Sequence, residues 1–332
     1  MLNRRSLLGA VAAPLVLRNA PALAKAEALV LYNGQHRATT EALVKAFTRD
    51  TGIKVTVRNA ESPELSSQIA EEGTRSPADL FFSEQSPPIA ALQGKGLLAP
   101  IDGGTLKSVP AEYAAKDGTW LGATIRTRVI SYNKEMVKPE QLPKSILDFA
   151  TASLDGRFGY VKQDGFQEQV MAIAHIKGRD AALDWLKGLK RYGRSYNGNR
   201  IASTAVENGE VAMALSNNYY WYSLAKEKGA ENLRSALHSF PARDPGNVFN
   251  VAAAGILKSS ARQETAQRFV AFMVSKAGQE AMVATTAEYP VLPGVASPFP
   301  LPPLSGFDAP VTPADVGDAA QAYALERDAG LI

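Results

Sequence analysis

One short run of this chain, Asn217 to Tyr222, concentrates oxygen atoms of a kind that can bind a metal ion. Its sequence, Asn-Asn-Tyr-Tyr-Trp-Tyr, places the phenols of Tyr219 and Tyr220 side by side behind two carboxamides. A phenol is a poor ligand until it loses its proton, and with an ordinary pKa of about 10 it keeps that proton near neutral pH. Ionising one phenol costs roughly 4 kcal/mol, which a strongly charged cation can offset. The run predicts a site for such a cation, with an aromatic cluster packed in a core as the alternative.

The chemistry of these ligands limits which cations could bind there. Calcium and magnesium bind carboxylates, carbonyls and water, whereas copper(I) and structural zinc prefer sulfur. The chain contains no cysteine, which excludes thiolate metal sites, thiol nucleophiles and disulfides. Catalytic zinc is chemically possible, but paired tyrosines are unusual ligands for it. A trivalent, oxygen-binding ion such as Fe³⁺ fits the run best.

Short apolar runs alternate with amphipathic helices along the chain, which predicts an α/β fold with largely parallel sheets. The predicted strands cover residues 28–32, 53–57, 79–82, 158–161 and 211–215. A helix through residues 42–47 is predicted to end at Gly52, and another runs from about Gln167 to Lys177.

Metal-competent side chains follow several of these strands. In open parallel sheets, ligands bind beyond the carboxyl ends of the strands, and His36, Glu84, Asp164 and the pair Tyr219–Tyr220 all fall there. Alternatives remain for single residues: His36 could be a turn residue that caps the next helix, and Glu84 a first-turn acid that complements the helix dipole. Together they predict one site built from distant loops.

Residues 1–24 have the features of an export signal. Arg4 and Arg5 precede an apolar stretch over residues 7–17, and a small-residue motif predicts cleavage after Ala24. The apolar stretch is too short for a permanent membrane anchor. Paired arginines resemble a twin-arginine (Tat-like) signal, which would export the chain already folded.

Without that segment the chain is electrically balanced. Removing its three arginines from the 36 basic residues leaves 33, equal to the 33 acidic residues. This balance gives no support for binding to nucleic acid or to an anionic membrane, since both require a concentrated basic face. About 308 residues remain, a length that commonly folds as two domains.

A set of further motifs extends over the whole mature chain. They are Tyr32–His36, Ser76–Asp79 with Glu84–Gln85, Trp185–Lys190, Val206–Glu210, Asn217–Tyr222, Leu224–Gly229 and Ala287–Pro290. Together they resemble the periplasmic ferric-ion-binding proteins. Members of this family are extracytoplasmic receptors of iron-importing ABC transporters, with a transferrin-like site between two lobes. The resemblance therefore implies a fold like that of type II periplasmic binding proteins, with two α/β lobes, a ligand cleft and hinge strands between them.

The resemblance implies His36, Glu84, Tyr219 and Tyr220 as direct iron ligands. Two phenolates and one carboxylate carry three negative charges, which balance Fe³⁺ inside a cleft of low dielectric constant, and neutral His36 is a fourth donor. It further implies a monomer in the periplasm that delivers ferric ion to an inner-membrane permease and its ATPase, without catalysis and without nucleic acid.

Four protein ligands leave room in an octahedron for an anion or water, and here the sequence departs from the family. Phosphate-using members carry a Ser-Gly-Ala segment where this chain has Lys162–Phe166, which is one residue shorter. Within this segment, Gln163 and the helix amides near Gly165 could receive an anion, whereas a deprotonated Asp164 would repel one. Phosphate is therefore disfavoured.

Three other residues match anion-contacting or cleft positions of the family. Asn199 and Asn217 align with asparagines that contact the anion, and Arg126 matches a cleft arginine that could hold a small bidentate anion such as carbonate. Carbonate is thus favoured over phosphate, with water as the other possibility. The alternative for Arg126 is a salt bridge at the hinge.

The lobes are predicted to be discontinuous in sequence. Residues 25–125 and about 250–305 form the N-lobe, and about 126–249 together with 306–332 form the C-lobe. Iron bound to loops of both lobes would favour closure about the strands that cross between them.

Two rival functions use the same residues. A receptor for an oxyanion or a small organic solute would use the tyrosines as hydrogen-bond donors or stacking surfaces. An enzyme would use His36 as base and Glu84 as acid, but the sequence has no Gly-x-Ser-x-Gly elbow, phosphate loop or His-Glu-x-x-His motif.

Overall fold

A computed structural model describes residues 28–163 and 165–332 of the chain. The predicted export signal, residues 1–24, and the candidate residue Asp164 lie outside the described residues. No helix of the described ranges is long and apolar enough to cross a membrane.

The elements have the following bounds. The strands are β1 (Leu29–Asn33), β2 (Val55–Asn59), β3 (Leu80–Ser83), β4 (Leu98–Ala99), β5 (Trp120–Asn133), β6 (Phe158–Val161), β7 (Arg194–Tyr196), β8 (Met213–Asn217), β9 (Ser235–His238), β10 (Phe249–Leu257) and β11 (Tyr289–Pro290). The α-helices are α1 (Arg37–Thr51), α2 (Ser62–Glu72), α3 (Ser86–Gly94), α4 (Gly103–Leu106), α5 (Phe166–Lys177), α6 (Arg179–Tyr192), α7 (Asn199–Asn208), α8 (Asn218–Lys228), α9 (Gln263–Met273), α10 (Lys276–Val283), α11 (Pro313–Val316) and α12 (Ala320–Asp328). Single 3₁₀ turns lie at Gly73–Arg75, Ala111–Tyr113, Pro139–Gln141, Ile146–Ala150, Ala152–Leu154, Ala230–Asn232 and Leu304–Gly306.

The first lobe is built on the strand order β2-β1-β3-β10-β5. Strand β1 pairs parallel with β2 and β3, and the apolar side chains of β1 and β3 are buried because helices cover both faces of these strands. Its core includes Leu31, Phe82, Phe47 of α1 and Phe269 of α9.

The second lobe continues the order as β5-β8-β6-β7, with β9 also paired to β5. Strand β6 pairs parallel with both β7 and β8. The core includes Phe149, Phe158 and Trp185, whose indole N–H donates to the carbonyl of Ile146 at 2.9 Å. This bond lets a fully buried tryptophan keep its polar group satisfied.

Strand β5 connects the two lobes. It is buried throughout; residues 120–127 pair with β10 in the first lobe, and residues 128–133 pair with β8 and β9 in the second. Strand β10 returns between the lobes and is antiparallel to β3 and β5. The prediction of largely parallel sheets is therefore wrong: the sheets are mixed, because the crossing strands run against their neighbours.

The segment after β11 joins the lobes a third time. Leu301 and Phe307 pack against the core of the first lobe, and Val311 packs with Ala172 and Val248. Helix α12 then packs on α5 and α6 of the second lobe.

Candidate metal centre

A tight turn after β1 places His36 at the start of α1. Asn33 organises this turn, since its Nδ2 donates to the carbonyl of Gln35 at 2.8 Å and its Oδ1 accepts from the hydroxyl of Thr40 at 2.7 Å. A Cβ atom on Gly34 would lie 2.1 Å from Oγ of Ser62, so glycine is required for this close approach. His36 is the residue that precedes α1, and its side chain does not cap the helix.

The loop between β3 and α3 places Glu84. The backbone N–H of Glu84 donates to Oγ of Ser62 at 2.9 Å. Ser62 therefore contacts the Glu84 loop while also filling the space beside Gly34. One buried serine thus positions both candidate ligands of the first lobe.

Tyr219 and Tyr220 lie in the first turn of α8, directly after β8. Asn218 fixes this turn: its Oδ1 accepts from the N–H of Thr127 at 3.0 Å, and its Nδ2 donates to the carbonyl of Ala287 at 2.9 Å. The tyrosine turn is therefore tied to the crossing strand β5 and to the segment before β11.

The candidate ligands from the two lobes converge. Nε2 of His36 lies 3.5 Å from Oε1 of Glu84, and the rings of His36 and Tyr219 meet edge to face with centroids 4.9 Å apart. The Tyr219 and Tyr220 centroids are 4.1 Å apart. A cavity of about 380 Å³ is lined by His36, Tyr219 and Tyr220, and another of about 570 Å³ by His36, Glu84 and Tyr220.

Arg126 stands on β5 behind these ligands. It is 1% exposed, and its guanidinium donates to both the carboxylate and the backbone carbonyl of Glu84. Burial disfavours its charge, but Glu84 and Glu288 outweigh burial and raise the pKa of Arg126 further. This arrangement matches the salt-bridge alternative, because two of its N–H groups are directed at Glu84 rather than at open space.

A metal site at this centre would depend on phenol oxygens. Within residues 28–163 and 165–332, no group of three or more imidazole, thiol or carboxylate side chains has an arrangement that could hold a metal ion. His36 and Glu84 therefore need the tyrosines to complete a ligand set. Such a set of one nitrogen and three anionic oxygens suits a hard, highly charged cation.

Comparisons with known proteins agree with this chemistry. The profile of the family described as bacterial extracellular solute-binding protein matches residues 42–303. Over 318 residues the chain is 45% identical to the Major ferric iron-binding protein of Neisseria meningitidis serogroup A, and the alignment covers 94% of each chain. The chain belongs to the periplasmic ferric-ion-binding protein family.

Two other relatives agree with the family and its fold. The Fe(3+)-binding periplasmic protein of Serratia marcescens is 36% identical over 308 residues, which cover 92% of this chain and 91% of that protein. The solved structure of iron-bound HitA from Pseudomonas aeruginosa is 50% identical, with a TM-score of 0.88 over 91% of this chain and 99% of that chain. These similarities confirm the predicted type II-like fold of two α/β lobes.

The residues predicted to contact an anion are not gathered in one place. Gln163 lines the cavity of about 570 Å³ with Glu84 and Tyr220. The N–H of Gly165 donates to Oε1 of Gln85 at 3.0 Å, so this amide is already hydrogen-bonded to a side chain of the protein.

The two candidate asparagines lie deeper in the second lobe. Asn199, at the start of α7, and Asn217, at the end of β8, are both 1% exposed. Oδ1 of Asn217 accepts from Nη1 of Arg128 at 3.2 Å. In the part of the chain that the structure describes, neither asparagine lines the two cavities beside the ligands.

Glu288 is a site residue that sequence reasoning did not assign. It is 1% exposed, and its Oε1 lies 3.1 Å from Nδ1 of His36, while its Oε2 lies 3.3 Å from Nε2 of Gln35. Burial alone would raise its pKa, but His36 and Arg126 outweigh burial and hold the pKa of Glu288 below its ordinary value. The only sequence signal was its place in the motif Ala287–Pro290.

The ionised Glu288 fixes the orientation of the imidazole. Nδ1 of His36 lies 3.1 Å from the carboxylate of Glu288, which leaves Nε2 facing Glu84 at 3.5 Å. Burial disfavours the charged ring, but Glu288 and Glu84 outweigh burial, so the pKa of His36 is raised. A proton on the ring would therefore form an ion pair with both carboxylates.

Replacing Glu288 with glutamine should weaken ferric binding roughly tenfold, because residues that orient a metal-binding histidine typically contribute 10- to 100-fold in affinity. The affinity would be measured by competition with citrate at fixed pH. Glu280→Gln is a matched control, since Glu280 is exposed and its ion pair, with Lys276 at 3.8 Å, lies on the surface. Equal affinities of the Glu288 variant and the unaltered protein would contradict this role.

Proposed function

We propose that this protein is the extracytoplasmic receptor of an ABC importer for ferric iron. Its direct ligands are His36 and Glu84 of the first lobe and Tyr219 and Tyr220 of the second. The single observation that carries the proposal is the convergence of these four side chains, from loops distant in sequence, at one cleft between the lobes.

The charges of the site support a trivalent cargo. Two tyrosinates and the Glu84 carboxylate balance the three positive charges of Fe³⁺. The buried Arg126 and Glu288 carry opposite charges and compensate each other. A divalent ion would leave one negative charge unbalanced inside the protein, which is costly at low dielectric constant.

Arg126 reduces the electrostatic repulsion among the anionic ligands. Its guanidinium neutralises Glu84, which would otherwise repel the phenolates as they form. Arg126 also lies 6.0 Å from the centroid of the Tyr219 ring, where its charge favours the ionised phenol. When iron binds, Glu84 can share its oxygens between the metal and Arg126.

The remaining coordination positions are proposed to hold carbonate or water, with phosphate disfavoured. Gln163 borders the ligand cavity and offers a neutral donor. The amide of Gly165 is engaged by Gln85, so an anion at this helix start would have to displace that bond. Arg126 and Asn217 would have to leave Glu84 and Arg128 to reach such an anion.

The loaded protein is proposed to act as a monomer in the periplasm and to deliver its cargo to a permease driven by an ATPase. This role follows from the solute-binding family to which the chain belongs. We propose that residues 1–24 direct export and are removed after Ala24. Catalysis is not part of the proposal.

The proposal is tested by adding ferric ion, as a weak citrate complex, to the purified iron-free protein. We expect one equivalent to bind and a visible charge-transfer band to appear, because phenolate bound to Fe³⁺ is coloured. Zinc and calcium should produce no band and should not compete at equal concentration. A protein that stays colourless but binds an oxyanion or a small organic solute would instead support the rival receptor function.

A further inference from the structure

A buried carboxylate lies between the two lobes, outside the ligand set. Glu168, in the first turn of α5, is 1% exposed. One of its oxygens accepts from the hydroxyl of Ser86 at 3.2 Å, and the other accepts from Nδ2 of Asn250. Ser86 begins α3 of the first lobe, and Asn250 lies on the crossing strand β10. Glu168 therefore connects the second lobe to the first lobe and to the hinge.

The neighbouring backbone makes this junction tight. The N–H of Gly165 donates to Gln85, the residue before Ser86, at 3.0 Å. Gly165 has a φ of 91°, and a Cβ atom built on it would lie 2.4 Å from Oδ1 of Asn250. The start of α5 thus contacts both the α3 end of the first lobe and the hinge strand, and opening of the cleft would separate Ser86 from Glu168.

Among the described residues, the cation that acts on Glu168 is Arg126. Arg126 on β5 attracts this carboxylate, although Arg126 is already bonded to Glu84. Strand β10 and helix α3 contribute the neutral Asn250 and Ser86.

The following side chains beside this part of α5 are apolar, neutral or acidic. Helix α6 meets α5 through the apolar contact of Phe166 with Trp185. On the remaining side, Asp318 and Tyr323 line a cavity of about 140 Å³ that borders Glu168. Glu326 of α12 faces the adjacent Gln167 at 3.0 Å.

Burial raises the pKa of Glu168 to about 7, although Arg126, Ser86 and Asn250 all favour its charged form. In an open cleft the same carboxyl group would be in water, where the ordinary pKa of a glutamate is about 4.3. Between these two values, the closed form holds a proton that the open form has released. Closure is therefore favoured as the pH falls through about 7 and disfavoured as it rises.

In the closed arrangement, hydrogen-bond partners are available for both the ionised and the neutral form of Glu168. Oδ1 of Asn250 is buried and has no hydrogen-bond partner among the described residues. If the Asn250 amide turns over, this oxygen can accept the proton of a neutral Glu168. The closed junction is thus satisfied when Glu168 is protonated, whereas the ionised form places a further negative charge in the interior.

We propose that Glu168 controls the resting position of the cleft, because its ionised carboxylate opposes closure of the iron-free receptor and its protonation permits closure. This inference rests on the proposed ferric receptor function, because that function explains why the cleft should stay open. The scattering test uses iron-free protein and does not depend on that function. Iron binding supplies the free energy that buries Glu168 at neutral pH. An iron-free receptor near pH 7 would thereby stay open to its cargo.

The test is small-angle X-ray scattering of the iron-free protein at pH 5 and pH 8. The unaltered protein should be more compact at pH 5 than at pH 8. Glu168→Gln should be compact at both values, since a neutral amide has no charge to bury. Glu326→Gln is the control, because Glu326 is equally buried but bonds Gln167 within the second lobe, and it should keep the normal pH response.

Ferric affinity gives a second measurement. At pH 8, Glu168→Gln should bind iron up to roughly several hundredfold more tightly than the unaltered protein, and at pH 5 the difference should fall below about tenfold. The inference is overturned if the unaltered protein has one size at both pH values, or if Glu168→Gln retains the response or is more open. If the unaltered protein binds no iron but the scattering follows this pattern, the proposed cargo is wrong and the closure control stands.

Discussion

Replacing Tyr219 and Tyr220 together with phenylalanine should abolish both ferric binding and the visible band. Each substitution removes one anionic oxygen from the four proposed ligands and leaves the ring to fill the same space. Four-ligand protein sites for Zn²⁺ have binding free energies of about 10–16 kcal/mol, or roughly 3–4 kcal/mol per ligand. The double variant should therefore lose at least about 10⁴-fold in affinity, and each single variant about 10²- to 10³-fold.

The measurement is a citrate competition titration together with the visible spectrum. Tyr222→Phe is the matched control: Tyr222 lies in the same helix, but its hydroxyl donates to the carbonyl of Pro300 at 2.9 Å and is proposed to bind no metal. It should keep the band and the affinity. An unchanged band in both single variants would refute the tyrosinate assignment, even if the double variant were unstable.

Replacing Arg126 with methionine should destabilise the fold by about 3–5 kcal/mol, the usual cost of removing one partner of a buried ion pair. Arg126 is the cation near three buried or nearly buried carboxylates, those of Glu84, Glu168 and Glu288. Methionine keeps an unbranched side chain of similar length, so the loss of charge dominates. The melting temperature should fall by roughly 10 °C.

Thermal unfolding of the iron-free protein measures this effect. Arg179→Met is a suitable control, because Arg179 and its partner Asp328 are each 48% exposed and such surface pairs contribute less than about 1 kcal/mol. If Arg126→Met melts normally and its iron binding instead loses a dependence on bicarbonate, Arg126 would be an anion-binding residue rather than a structural cation.

The sequence predicted the elements that carry the ligands with good accuracy. The strands expected at 28–32 and 158–161 are observed at Leu29–Asn33 and Phe158–Val161, because their apolar runs are bounded by polar turns. The last predicted strand, 211–215, is displaced to Met213–Asn217. Asn217 therefore ends the strand and pairs across from Arg128 instead of lying in the following loop.

The sequence was a poorer guide to strand direction and to buried charge. Strands β5 and β10 pair antiparallel because the chain crosses between the lobes at both of them. The direction of a strand in such a crossing leaves no pattern in the local sequence. Glu168 and Glu288 were missed because each partner that matters is distant in sequence: Ser86 is 82 residues from Glu168, and His36 is 252 residues from Glu288. Arg126 was found, but its engagement with Glu84 depends on tertiary contacts alone.

The third passage of the chain between the lobes, from Phe307 to Val311, limits how the halves can move. Two connections, β5 and β10, would allow the lobes to twist against each other as well as to open and close about the hinge. A third connection would resist twisting and favour motion about one axis. If the protein loads and releases ferric ion as proposed, such a constraint would return the four proposed donor atoms to the same relative geometry each time the lobes close.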